Sequence, residues 1–349
     1  MEKENNRKYH KKRLLILLIA LFFTTVMFTT TTYAWFTANQ TVTVSTLKVN
    51  VEAKNGIQIS SDATNWKSIL QTADITTAVN TSYSANINQV PTTMEPVSTV
   101  GDLDTDGHMN MFYGVIADNS AGQYIITATK QTDVKSTEEG KYIAFDMFLK
   151  VNKQTRIALT SNSGVRKDGT TDTGIKNASR IAFIVEGNAT EETALATIQG
   201  LKTTDKENVY IWEPNFDVHT DAGVAQARDV YNTTVTKTGG SALAYQGIKA
   251  DIAAANNVLM NATSTTAYST VEGQSTLFET VTVDYATNEA FSAEGSTAQQ
   301  EIFTLQPGVT KVRVYMWIEG QDVDCENNAS GGAIAYDLQF TTIATTTTP

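Results

Sequence analysis

The chain has 349 residues, with 26 Lys and Arg against 37 Asp and Glu, for a formal net charge of −11. Its single cysteine, Cys325, excludes a disulfide scaffold, so the fold must rest on a hydrophobic core, for which this length is ample. An acidic surface repels phosphate backbones, which argues against a nucleic-acid partner.

The chain begins with a basic segment. Residues 1–13 hold Lys3, Arg7, Lys8, Lys11, Lys12 and Arg13 against Glu2 and Glu4. Residues 14–28, LLILLIALFFTTVMF, carry no charge, and a Thr-rich stretch leads to Tyr33-Ala34-Trp35-Phe36. A basic flank, an apolar run and a small residue at a polar boundary form the order of an export signal. The basic flank holds the start in the cytoplasm, so the chain beyond Phe36 is carried outward. The uncharged stretch 14–38 also reads as an uncleaved transmembrane anchor, since a span needs about 20 residues. The short, Thr-diluted apolar core favours cleavage between Ala34 and Trp35, with Thr32 two positions before Ala34. The division is then a signal segment at 1–34 and one domain at 35–349. The first 34 residues hold six basic and two acidic groups, so the remainder carries −15. A secreted or cell-surface location is expected, with membrane contact only through the N-terminal segment.

Beyond the boundary, period-2 alternation dominates. Residues 41–51, TVTVSTLKVNV, place Val42, Val44, Leu47, Val49 and Val51 at strand spacing, with a one-residue slip between Val44 and Leu47 that predicts a bulge. Further strands are predicted at 56–60, 124–129, 142–151, 156–160, 180–185, 208–212, 276–285, 301–305, 311–318 and 333–341. All are rich in β-branched and aromatic residues and separated by Asn, Asp, Gly and Thr. Helical patterns are few: 191–201 with Thr190 near its start, 221–231, and the Ala-rich stretch 240–258. They place a partly helical insertion at about 187–270. With only five prolines and no linker, the expected fold is one all-β domain, a β-sandwich or jelly roll.

The chain shows no catalytic signature. Its histidines are His10, His108 and His219, and there is no His-Glu-x-x-His, no Gly-x-Ser-x-Gly, no phosphate loop and no dinucleotide fingerprint. No enzymatic activity is expected. The sharpest local pattern is Asp102-Leu103-Asp104-Thr105-Asp106-Gly107, whose alternate carboxylates and glycine match the opening of a calcium loop. Asn110 falls at the loop's ninth position, but Tyr113 stands where a bidentate carboxylate belongs. The segment therefore reads either as a solvated acidic turn or as a calcium site; no other cofactor is expected. A second acidic group, Glu319, Asp322, Asp324 and Glu326, reads as a solvated hairpin loop around a partly buried Cys325. Trp66, Tyr83 and Trp212 are candidate surface aromatics for a glycan, or core residues.

Thr32-Tyr33-Ala34-Trp35-Phe36-Thr37-Ala38-Asn39, together with the strand at 41–51, resembles the start of TasA/camelysin-type exported proteins of Firmicutes. The likeness covers residues 14–52. Tyr210-Ile211-Trp212-Glu213-Pro214-Asn215 and Trp317-Ile318-Glu319-Gly320-Gln321-Asp322-Val323-Asp324-Cys325 are similar to stretches of Clostridia-type exported proteins. The resemblance implies a jelly roll, processing by a signal peptidase of the SipW type, and matrix fibres built by insertion of the freed N-terminal strand into a neighbouring subunit. The matching segment here comprises Trp35, Phe36, Val42, Val44, Leu47, Val49 and Val51. The other roles weighed are a monomeric surface adhesin or glycan-binding module, and a signal-anchored ectodomain.

Overall fold

Strands carry the chain from residue 42 onward. The computed structural model describes residues 42–48, 56–77, 82–118, 124–229, 233–253, 259–260, 276–282, 299–326 and 329–343, all within the unit Ala34–Pro349. The export signal and the boundary at Ala34 and Trp35 lie outside the described residues, as do Phe36, Val49 and Val51. In chain order the strands are β1 (Val42–Lys48), β2 (Gln58–Ser60), β3 (Thr93–Met94), β4 (Met111–Asp118), β5 (Tyr124–Gln131), β6 (Ile143–Val151), β7 (Thr155–Thr160), β8 (Gly164–Lys167) and β9 (Ser179–Ala189). They continue with β10 (Val209–Trp212), β11 (Tyr245–Ile248), β12 (Leu259–Met260), β13 (Phe278–Val281), β14 (Gln299–Leu305), β15 (Gly308–Ile318), β16 (Ala333–Asp337) and β17 (Phe340–Ile343). Among the described residues, no helix is long and apolar enough to cross a membrane.

The largest sheet has the order β10-β9-β15-β6-β2, with β15 at its centre and antiparallel to both neighbours. Every residue of β15 is buried, so both faces of this strand are covered. Its alternation sorts Val312, Val314, Met316 and Ile318 onto one face, where they join Phe145, Met147, Ile181 and Phe183 in the main core. The sheet β14-β7-β17 supplies the opposite wall through Ile157, Leu159, Phe303 and Phe340. Phe183 stands edge-on to Phe303 and Phe340, with centroids 6.2 and 5.6 Å away. Each such side chain contributes about 1.5–3 kcal/mol by leaving water. The result is an all-β protein with sheets packed face to face. The other face of β15 carries Lys311, Arg313, Tyr315 and Trp317, and the functional geometry is built there.

Two glycines are required by close approach. Gly308 opens β15 at φ +109°, and a Cβ there would stand 2.3 Å from the carbonyl oxygen of Ala189. Gly308→Ala is therefore expected to lower stability by about 1–3 kcal/mol, read as a shift in the urea midpoint; an unchanged midpoint would refute this placement of β15 against β9. Gly247 lies in a stretch, 240–258, predicted as Ala-rich helix. The structure corrects that prediction: residues 245–248 form β11, paired with β13. Long-range bonds override helix propensity here. Tyr245 Oη donates to the Thr99 carbonyl at 3.0 Å and the Ile248 N–H donates to Ser98 Oγ at 3.1 Å. A Cβ on Gly247 would sit 2.5 Å from the Thr99 oxygen.

The short helices Leu195–Gln199 and Asp221–Asp229 form where predicted. Residues 187–270 also lend β10 to the edge of the large sheet. Strands β4, β8 and β11 carry too little alternation to be foreseen, Gly114 interrupting β4 and Gly247 interrupting β11.

Candidate functional site

The predicted residues divide among three places. Val42, Val44 and Leu47 lie on β1, which pairs antiparallel with β3 and parallel with β16 in the order β3-β1-β16-β8. The register shifts between Thr43 and Thr46, where the sequence slip predicts a bulge.

Asp104 and Asp106 occupy a tight turn closed by the β-bridge between Leu103 and Met109, and Asp102 immediately precedes it. Their carboxylates take separate partners. Asp104 Oδ1 accepts the N–H groups of Asp106 and His108, both at 2.9 Å. Asp102 pairs with Lys206 at 2.9 Å, and Asp106 with Lys202 at 3.0 Å. Among the described residues, no group of three or more His, Cys, Asp or Glu is placed to hold a metal ion. Of the candidate surface aromatics, Tyr83 and Trp212 are buried, and Trp66 is half-buried beneath the Lys150 ammonium.

The acidic group at 319–326 departs most from expectation. Its composition reads as a solvated loop, yet Glu319, Asp322 and Asp324 are buried, together with Cys325. Burial is possible because each carboxylate finds donors. Glu319 Oε2 accepts the Trp317 indole N–H at 3.0 Å, and its Oε1 accepts the Gln321 N–H at 3.1 Å. Asp322 Oδ1 accepts the Asp324 N–H at 2.7 Å. Asp324 Oδ2 lies 2.7 Å from His219 Nδ1, and Oδ1 accepts the Thr220 N–H at 2.8 Å. The one guanidinium among them is Arg180, on β9 directly across from Trp317 of β15. Its Nη2 donates to Asp322 Oδ2 at 2.5 Å and lies 3.1 Å from Glu213 Oε1, while its guanidinium stands 5.5 Å from the centre of the Tyr245 ring.

One cation does not balance this many carboxylates in a low-dielectric site, and proton affinities rise accordingly. Burial lifts Glu319 to about 7 against the donors that oppose it. Burial, and then the neighbouring carboxylates, also raise Glu213 and Asp322 despite Arg180. Burial alone would lower His219, but the hydrogen bond and charge of Asp324 reverse it, and the net shift is upward.

A second buried group lies further along the same face. Arg313 donates to Asp146 Oδ1 at 2.7 Å and to Asp133 Oδ2 at 2.6 Å. Asp146 lies directly across from Arg313 on β6. Tyr83, Tyr142 and Tyr315 each donate a hydroxyl to one of these carboxylates at 2.6 Å. Here two cations outweigh burial at Asp146, which burial would raise but Arg313 and Lys311 hold at about 2. This nest is saturated and reads as structural, whereas the group around Arg180 borders a cavity.

That cavity, about 280 Å³, is lined by Arg180, Glu213, His219, Tyr245 and Asp322, with Leu243, Ala244 and Val323 among its apolar walls. The two stretches singled out in the sequence, at 210–215 and 317–325, therefore meet at one site, through Glu213 and Asp322. Sequence reasoning missed Arg180 and His219, which carry no local signal. The chain matches no known protein family, no curated protein and no solved structure.

Proposed function

We propose that the chain is an exported cell-surface or extracellular-matrix protein with a jelly-roll arrangement of its sheets, which self-associates by exchanging its N-terminal strand. In this reading a SipW-type peptidase cuts between Ala34 and Trp35, and the freed segment through Val51 seats in a neighbouring subunit. The observation that supports it is the seat of β1. This strand comes first among the described residues, yet it is held between β3 and β16 and runs parallel to β16, near the other end of the chain. The same segment of a second copy offers identical main-chain bonds, which is the condition for strand addition and domain swapping.

The register supplies the test. Thr46 pairs with Ala335. In residues 35–349 carrying Cys325→Ala, the pair Thr46→Cys and Ala335→Cys is expected to form covalent multimers on non-reducing gels, and electron microscopy of the uncrosslinked protein is expected to show filaments lost on deletion of residues 35–51. A single internally bridged monomer, with no filaments at any concentration, would overturn the reading.

A further inference from the structure

The cavity beside Arg180 is not used by strand exchange, and its wall chemistry is specific. Glu213 is 3% exposed and Arg180 1% exposed, and both line it. Each keeps one polar atom without a hydrogen-bond partner in the protein: an acceptor, Oε2 of Glu213, and a donor, Nε of Arg180. An unsatisfied buried donor or acceptor costs about 1–3 kcal/mol, so a group that completes both stabilises the site. His219, also on the wall, spends Nδ1 on Asp324, which fixes the ring and leaves Nε2 as its remaining polar atom.

We propose that this cavity is a binding site for a small, uncharged, polyhydroxylated ligand, a saccharide unit, held through its hydroxyls by Glu213, Arg180 and His219. Charge balance selects this class. An anion would add to the buried carboxylates of Glu213, Asp322 and Asp324, while Arg180 Nη2 is already engaged by two of them. A cation would have to displace the protons that Glu213 and Asp322 keep, and would meet the Arg180 guanidinium and a histidine whose proton is stabilised by Asp324. A hydroxyl both donates and accepts, so one hydroxyl, or two adjacent ones, satisfies Glu213 and Arg180 with no net charge brought in. Leu243, Tyr245 and Val323 supply the apolar surface that the C–H faces of a sugar ring require.

Calorimetric titration of the full chain tests the proposal, with glucose, galactose, mannose and N-acetylglucosamine as neutral probes and glucuronate and putrescine as charged ones. Saturable binding of at least one neutral sugar is expected, and neither charged probe should compete with it. Ala244 lines the cavity from an exposed position, so Ala244→Trp fills the space while leaving every residue of the Arg180 network in place. It is expected to abolish binding while leaving the thermal melt unchanged. Glu213→Gln is expected to weaken binding about tenfold, because one of its two side-chain oxygens becomes an NH2 group that cannot accept. If Glu213→Gln fails to fold, Ala244→Trp still decides. No saturable binding of any neutral sugar, tighter binding of a charged probe, or sugar binding indifferent to Ala244→Trp would each overturn the proposal.

Discussion

Replacing Arg313 with methionine is expected to lower stability by about 3–5 kcal/mol, a large fraction of the roughly 5–15 kcal/mol that holds a typical domain folded. The side chain of Arg313 is 2% exposed, and those of its partners Asp133 and Asp146 are 1% and 3% exposed. Methionine fills much of the same space, so the loss is not a cavity effect. What remains is two carboxylates, out of water, with their principal cation gone. Lys311 lies 3.3 Å from Asp146 and offsets only part of this. The contrast is the ion pair Arg156–Glu301 at the β7–β14 edge, where both side chains are more than a third exposed. Glu301→Gln is expected to cost less than about 1 kcal/mol, because solvent screens that pair. Urea unfolding followed by circular dichroism checks both variants. An Arg313→Met midpoint close to that of the parent would mean that the nest is not buried as described.

The second large effect is a fall in stability as pH rises. Glu319 titrates near 7 in the folded protein against 4.5 for an ordinary glutamate, and burial likewise places Glu186 near 7. Glu213, Asp322 and His219 shift in the same direction. A group whose folded pKa is raised binds its proton more tightly when native. Its contribution is full below the unfolded pKa and is lost as pH climbs through the folded value. For Glu319 alone, the rise from 4.5 to about 7 corresponds to about 3 kcal/mol. Asp146 works oppositely: held near 2 against 3.8, it contributes at all pH values above that range and weakens the fold only in stronger acid. The melting temperature is therefore expected to be highest in mild acid and to drop between pH 5 and 8. Glu319→Gln, which keeps an acceptor for the Trp317 N–H, is expected to flatten that slope. A melting temperature that climbs from pH 5 to 8 would contradict the burial of this cluster.

The two effects share a structural cause. On the face of β15 away from the main core, Lys311, Arg313, Tyr315 and Trp317 succeed one another at strand spacing. Loops and β11 cover this row, so its polar groups answer only to one another. Around Arg313, two cations keep Asp146 ionised while burial holds the proton on nearby Glu186. Around Arg180 carboxylates are in excess, protons are retained, and a cavity adjoins the imbalance.

Much of the strand framework is legible in the amino-acid order. Residues 142–151, 180–185 and 311–318 read as strands from their alternation, and alternation is a local property set by the two-residue repeat of an extended backbone. The bulge in β1 is legible for the same reason, as a slip in that repeat. The stretch at 240–258 is not, because alanine favours helix only weakly and the contacts of Tyr245, Gly247 and Ile248 with residues 98 and 99 lie far away in sequence.

Amino-acid order alone thus dictates where most strands form, that the protein is all-β, and that basic residues interrupt an otherwise apolar strand at Lys311 and Arg313. The meaning of those interruptions comes from the packed sheets. Arg313 meets Asp133 and Asp146, Arg180 meets Glu213 and Asp322, and His219 meets Asp324 across separations that no local pattern spans. A carboxylate in a polar loop looks solvated until something covers it. Glu319, Asp322 and Asp324 are buried because Arg180, His219 and the Thr220 N–H arrive from elsewhere in the chain to join the loop's own donors, and that convergence is a property of the folded sheets.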